Sequence, residues 1–241
     1  LTISFIISMI TVRQIQADNL SLEKAKASKV ARDYVSSLEK IINNNLSLNY
    51  TLGMLVHEWE GKVDKFEKLA DQVLPLYPSI SNVSLAPNGI VQKIIPLKGN
   101  EGAVGHDLFA DKNRSTEAIE TKESGVLTVA GPYHLIQGTG YAIIGRLPIF
   151  LTNEKDDEDF WGFTSTVMLI EVILKEANIE SLKDLNYEYE LWRINPDTSE
   201  KEILSSSKSY EIEYEEQEIT VPNGKWIMGI SPIGGWHSKS K

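Results

Sequence analysis

Cysteine is absent from all 241 residues. Disulfides, thiolate metal sites and cysteine nucleophiles are therefore excluded, and the redox compartment is left open. Histidine is scarce: His57, His106, His134 and His237 make up the full set of four. They show no HExxH spacing and have no cysteine partners, so no metal site is expected. Positive charge is also short, because 24 Lys and Arg against 34 Asp and Glu leave a net charge of −10. Nucleic-acid binding needs a basic face that neutralises phosphates, and this balance argues against it. It argues equally against peripheral attachment to anionic lipid.

Nucleophile and phosphate motifs are missing too. Neither GxSxG nor a Walker A sequence occurs. The segment GTGYAIIG (138–145) sets its glycines before a strand rather than between a strand and a helix, so it reads as a turn and not as a dinucleotide loop. No catalytic constellation and no cofactor is expected. Long apolar runs are lacking as well. Leu1–Val12, LTISFIISMITV, carries no charge and stops at Arg13, which is shorter than the about 20 residues a bilayer crossing takes. That run fits the outer end of a transmembrane helix, and it also fits the start of a buried helix or a signal-peptide remnant.

What is present is ordinary globular material, with 41% hydrophobic and 24% charged residues, enough to bury one large or two small cores. From Arg13 to about Asn45 the composition is helical, free of proline and glycine. Val30, Tyr34, Leu38 and Ile41 define an apolar face, with Glu23, Lys24, Lys26, Lys29, Arg32, Glu39 and Lys40 on the solvated remainder. Asn43–Asn45 suggests a fray or break. A second stretch, with Leu52, Leu55, Trp59, Val63, Phe66, Leu69 and Val73 at helical spacing, carries a core-facing stripe, is divided by Gly61 and ends before Pro75 and Pro78. His57 beside it reads as a surface residue.

Strand-like runs follow at Val83–Leu85, Ile90–Ile95, Val126–Ala130 and Tyr141–Phe150. Pro87-Asn88-Gly89 supplies the corner of a reversal, since proline presets φ and Asn-Gly accepts positive φ. The acidic run Thr152–Asp159 lacks the glycine and alternating oxygen ligands of a calcium loop and reads as a connection between two halves. Beyond it, Phe160–Met168 reads as a strand and Leu169–Ala177 as a helix. Further strands are expected at Tyr187–Leu191, Lys201–Leu204, Tyr210–Ile219 and Lys225–Ile230, with a corner at Pro222-Asn223-Gly224. In the first of these, Tyr187, Tyr189 and Leu191 share one face and Glu188 and Glu190 the other, the pattern of a half-buried strand. In the third, Tyr210, Ile212 and Tyr214 alternate with Glu211, Glu213 and Glu215, a strand with one wet face.

The order LAPNGIVQKIIPL, GHDLFADKNR, ESG and AGPYHLIQGTGYAIIGRLPIF, followed by WGFTSTVMLIEVIL and VPNGKWIMGISPIGGW, resembles the CHASE domain family over roughly residues 61–236. That family comprises extracytoplasmic ligand-sensing modules of membrane receptors such as histidine kinases and diguanylate cyclases. The resemblance implies an α+β fold, a long N-terminal helix followed by two PAS-like antiparallel-sheet subdomains. Its divisions are a membrane-helix end at 1–12, helices over 13–78, a membrane-distal ligand-binding subdomain at 79–151, the acidic connection at 152–159, a membrane-proximal subdomain at 160–236, and a tail at 237–241. It also implies an unidentified small-molecule ligand, a homodimer through the N-terminal helix, and a full-length integral membrane receptor of the inner membrane with a periplasmic sensor. The alternative is a protein-interaction or structural module without a small ligand.

Site candidates cluster in the first sheet. Asp107, with Phe109 beside it, admits two readings: a lone carboxylate among apolar walls that accepts a ligand N–H, or a helix N-cap. In the plant hormone receptors of the family an aspartate bonds an adenine-type ligand, and Asp107 inherits that role by resemblance. The same resemblance implies that Val129 falls where a family residue offers backbone groups to the ligand. A ligand-contacting threonine of those receptors falls near Gly138, with Thr139 adjacent, and this departure counts against a cytokinin-like ligand. Tyr133, Tyr141 and Arg146 are further lining candidates, Arg146 being suited to a carboxylate or phosphate, with sheet-face packing as the plain reading of each.

Overall fold

The computed structural model describes residues 2–111, 115–134, 141–195, 198–208 and 213–236. Helix α1 runs unbroken from Thr2 to Glu58. The expected break at Asn43–Asn45 does not occur, because Asn45 and Asn49 lie on the buried face with Ile42, Leu46, Leu52 and Val56. Tertiary burial overrides the poor helix propensity of asparagine. The helix stops at Glu60 and Gly61, both at positive φ, so Gly61 divides the two helical stretches as its freedom from a Cβ allows. Helix α2 spans Phe66–Val73 and a short 3-10 turn carries Pro75.

Chain contacts define two units. The larger comprises Glu39–Ala177 with Val221–Gly224, and the smaller comprises Leu1–Leu38, Asn178–Thr220 and Lys225–Lys241. The larger unit holds a five-stranded antiparallel sheet of β1 (Ile80–Pro87), β2 (Lys93–Ile95), β3 (Thr128–His134), β4 (Tyr141–Thr152) and β5 (Glu158–Leu169), in the order β2-β1-β5-β4-β3. Helix α3 (Ser115–Ser124) and helix α4 (Ile170–Glu176) belong to the same unit. The acidic run is therefore not a connection between halves. Residues 152–158 turn the β4–β5 hairpin, with Asp156 at positive φ and the Asn153 side chain accepting from the Lys155 and Asp157 amides. The strand over 160–168 belongs to the first sheet, wedged between β1 and β4, and the chain changes unit only after Ala177.

The α1 face of this sheet carries Thr164 and Thr166, both fully buried. Asn49 of the helix donates to Thr166 Oγ1 at 2.8 Å, and Thr164 Oγ1 donates to the Asn49 carbonyl at 3.2 Å. Gly145 lies beneath Leu46 and Asn49, where a side chain would collide. The opposite face meets the chain between β2 and β3. There Ala86, Val91, Ile94, Leu108, Ala118 and Phe163 form a closed apolar cluster.

The smaller unit holds helix α5 (Ser181–Asp184) and a four-stranded antiparallel sheet, ordered β7-β6-β9-β8, from β6 (Tyr187–Ile194), β7 (Lys201–Ser206), β8 (Glu215–Val221) and β9 (Gly224–Pro232). The first part of α1 packs within this unit. Lys24 donates to Glu213 at 2.8 Å and lies 5.5 Å from the Trp236 ring centroid, and Gln217 donates to Ser28 at 3.2 Å. On β6 the expected half-burial is absent. Glu188 and Glu190 are both buried, Glu190 beneath the ammonium groups of Lys201 and Lys208. Those lysines follow Glu190 by 11 and 18 residues, too far for a local alternation pattern to register. Part of the expected strand at 210–219 lies outside the described residues, and β8 begins at Glu215.

Candidate ligand-binding site

Register places a polar row straight across the covered face of the five-stranded sheet. Ser84 on β1 pairs with Ser165 on β5, Ser165 with Arg146 on β4, and Arg146 with Thr128 on β3. Directly opposed residues of antiparallel strands point to the same side, so the four side chains stand in line. All four are buried, and Arg146, at 1% exposure, is a fully buried cation. Its guanidinium carbon lies 5.6 Å from the Phe163 ring centroid, which anchors the charge over an aromatic face. Thr128 and Thr121 of α3 share a hydrogen bond of 2.5 Å, pinning the helix to the end of the row. A second tie runs from the Gly131 amide to Glu117 Oε1 at 3.4 Å.

An aromatic group bounds the row on one side. Phe160 and Phe163 meet edge to face at 5.0 Å, and Phe109 packs against them at 6.0 and 5.7 Å. Lys122 of α3 places its ammonium 4.7 Å from the Phe160 centroid and 5.6 Å from that of Phe109. Phe109 fits only because residue 89 is glycine: Gly89 has φ +82 and its missing Cβ leaves the space the ring fills.

Asp107 turns out to brace its own loop. Its Oδ1 accepts from the Phe109 amide at 2.9 Å and the Ala110 amide at 3.2 Å, while its backbone bridges to Ile90. This is the geometry of an aspartate at a turn, not the helix N-cap expected as its plainer reading. It precedes no helix directly, since α3 begins only at Ser115. His106 lies 3.2 Å from Asp111 in the same loop.

Of the other residues singled out from sequence, Tyr133 pairs with Ala142 and so shares the face of Arg146. Val129 and Tyr141 do not. Val129 pairs with Gly145 and its side chain takes the α1 side, and Tyr141, one residue out of phase with Arg146 and Ala142, is largely exposed. The outward backbone groups of Val129 are engaged by the side chain of Asn223, which accepts from its N–H at 2.8 Å and donates to its carbonyl at 3.1 Å. Gly138 and Thr139 lie outside the described residues. The residues that sequence reasoning missed are Ser84, Ser165, Thr128, Thr121 and Glu117. Ser84 between Val83 and Leu85, and Ser165 inside a buried run, were the available signals: small hydroxyls in apolar strands. Among the described residues no group of three or more His, Cys, Asp or Glu side chains could hold a metal ion.

The chain folds as a long helix followed by two α+β units built on antiparallel sheets. The chain belongs to the CHASE domain family, whose model matches residues 64–203. Among curated proteins, no sequence matches it. Its fold is that of an extracellular ligand-binding receptor from Desulfohalobium retbaense (TM-score 0.64, 11% identity), covering 85% of this chain but 40% of the receptor, so this chain spans less than half of that protein. It is also that of the ligand-binding domain of the Pseudomonas aeruginosa amino-acid chemoreceptor PctC in complex with GABA (TM-score 0.56, 12% identity, 84% of this chain and 97% of that one). The ligand-binding domain of the Pseudomonas fluorescens chemoreceptor CtaA with L-isoleucine is similar (TM-score 0.60, 13% identity, 91% and 94%).

Proposed function

We propose that this chain is the extracytoplasmic small-molecule sensor of a transmembrane receptor, and that its ligand carries a carboxylate held by Arg146. The observation that carries the reading is the buried row of Ser84, Ser165, Arg146 and Thr128. The planar fork of the Arg146 guanidinium matches a carboxylate bidentately. The flanking hydroxyls supply further donors, and Phe109, Phe160 and Phe163 supply a wall for an apolar body. The similar chemoreceptor domains, solved with GABA and L-isoleucine, support an amino acid or a related organic acid. Tyr133 belongs to the proposed site, whereas Asp107 shapes its loop.

Ligand binding shifts a receptor only by favouring one arrangement over another. We assign that output to rearrangement of α1 within a homodimer, read by a cytoplasmic kinase or diguanylate cyclase. Among the described residues no helix is long and apolar enough to cross a membrane. The exposed apolar side chains Phe5, Ile6, Ile7, Met9, Ile10 and Val12 at the start of α1 fit a segment approaching the bilayer.

The test is a thermal-shift screen with amino acids, organic acids and adenine derivatives on the wild type, Arg146→Lys and Asp107→Ala. A ligand at about 100 times its Kd adds about 2.7 kcal/mol, a rise of several degrees. The expected result is a rise with a carboxylate-bearing compound that Arg146→Lys abolishes. A rise that survives Arg146→Lys overturns the site, and the absence of any rise turns the reading towards a partner protein.

A further inference from the structure

The second sheet buries a charge that the proposed Arg146 site does not use. Glu188 and Glu190 project from the same face of β6 and are 8% and 0% exposed. Their situations differ. Glu190 is answered twice, by Lys201 and by Lys208, the latter at 2.7 Å. Glu188 Oε2 is shut from solvent and has no hydrogen-bond partner. Directly across the ladder from Glu188 stands Ser231 of β9. Ser231 is 0% exposed and its Oγ also lacks a partner. Opposed residues of this kind have Cβ atoms about 4.5–5.5 Å apart on one face, so the two orphaned oxygens belong to neighbouring side chains on one face.

We propose that this face is a second ligand site, taking the ammonium head of a compact primary amine between Glu188 and Ser231. The acceptor set is one carboxylate oxygen and one hydroxyl oxygen, which an ammonium group with three N–H donors satisfies. An ionised carboxylate held away from water is compensated far better by a cation than by a neutral donor. An anion is refused by Glu188 itself. A divalent metal is refused by ligand number, since such ions take six or more oxygens and the described residues offer no group of three acidic or histidine ligands. Lys201 and Lys208 are committed to Glu190 and do not serve as the missing cation. Beside Ser231 on the same strand face is Gly229, and the Tyr214 ring sits against it at distances that leave no room for a Cβ. That ring gives the amine's short carbon body an apolar wall.

The inference stands independently of the carboxylate site, and its test separates the two. Methylammonium chloride is titrated into the whole domain against potassium chloride at matched ionic strength, with Tm as the readout. The wild type is expected to gain several degrees over the potassium control. Ser231→Ala weakens the gain, Glu188→Gln removes it, and Arg146→Lys leaves it intact. Should Glu188→Gln fail to fold, the 13C shift of the Glu188 carboxyl in the wild type reports the same contact and is expected to move on titration. Equal behaviour of the two salts, a gain that survives Glu188→Gln, or an unmoved Glu188 carboxyl signal overturns the proposal.

Discussion

The carboxamide of Asn223 closes both outward backbone groups of Val129, accepting from the N–H at 2.8 Å and donating to the carbonyl at 3.1 Å. β3 is the last strand in the sheet order, so its outer edge would otherwise present unpaired backbone. A single side chain here does the work of a neighbouring strand. Removing it with Asn223→Ala is expected to cost about 1–2 kcal/mol, the net value of two hydrogen bonds. The Val129 amide should lose hydrogen-exchange protection specifically. Asn223→Asp, which keeps the acceptor and loses the donor, should fall between. Unchanged exchange at Val129 in the alanine variant would show that the contact does not hold the edge.

On the other face of the sheet, Gly145 and Asn49 are coupled by space. A Cβ at 145 would stand 2.8 Å from Thr166 Oγ1 and 3.0 Å from Asn49 Nδ2. Gly145→Ala overpacks the contact and should cost about 1–3 kcal/mol. Asn49→Ala leaves the buried Thr166 hydroxyl without its donor and should cost about 1–3 kcal/mol. The double variant should lose less than the sum, because the shortened residue 49 removes one of the collisions. Urea denaturation of the four proteins checks this, and strict additivity would mean that the two sites do not touch.

Local chemistry was legible in the sequence, and long-range pairing was not. Asn88 and Gly89 do take positive φ, because proline followed by Asn-Gly leaves few alternatives. The strand over 160–168 was recognised, but its place between β1 and β4 was not. A hairpin turn and an interdomain connection share the same polar, turn-forming composition, so Thr152–Asp159 could not reveal which it was. Glu188 and Glu190 alternate with tyrosines as solvated residues do, and nothing within β6 itself encodes that both are buried. For the proposed site, Arg146 was singled out in the sequence from its chemistry. Its companions Ser84, Ser165 and Thr128 became companions only once the register of four strands was known, and no periodicity within any one of them encodes that.

Phe163 carries the aromatic group that seats Arg146. It is fully buried and touches Phe109, Phe160 and the guanidinium. Phe163→Ala should cost about 3–5 kcal/mol as a buried aromatic truncation. Phe163→Leu, which retains most of the volume, should cost less while still removing the ring from beneath Arg146. If the leucine variant costs as much as alanine, the aromatic face contributes beyond its volume. Chemical denaturation curves separate the two cases.

Two ion clusters in the smaller unit predict opposite pH dependences. Burial by itself raises the Glu190 carboxyl, but the hydrogen bonds and charges of Lys201 and Lys208 outweigh it and hold the group below its ordinary value of 4.5. A depressed carboxylate stabilises the fold above its unfolded pKa, and that contribution disappears as pH falls through the folded value. Denaturation midpoints of the wild type should therefore fall more steeply below about pH 4.5 than those of Glu190→Gln. Lys24 behaves in the reverse sense. The Glu213 hydrogen bond, opposed by burial and joined by Glu215, raises it above 10.5. Its contribution is complete below that pH and is lost as pH rises through the folded value. Lys24→Met should flatten the alkaline limb of the stability profile. Parallel profiles for wild type and variant at either end would show that the corresponding pair adds nothing to folding.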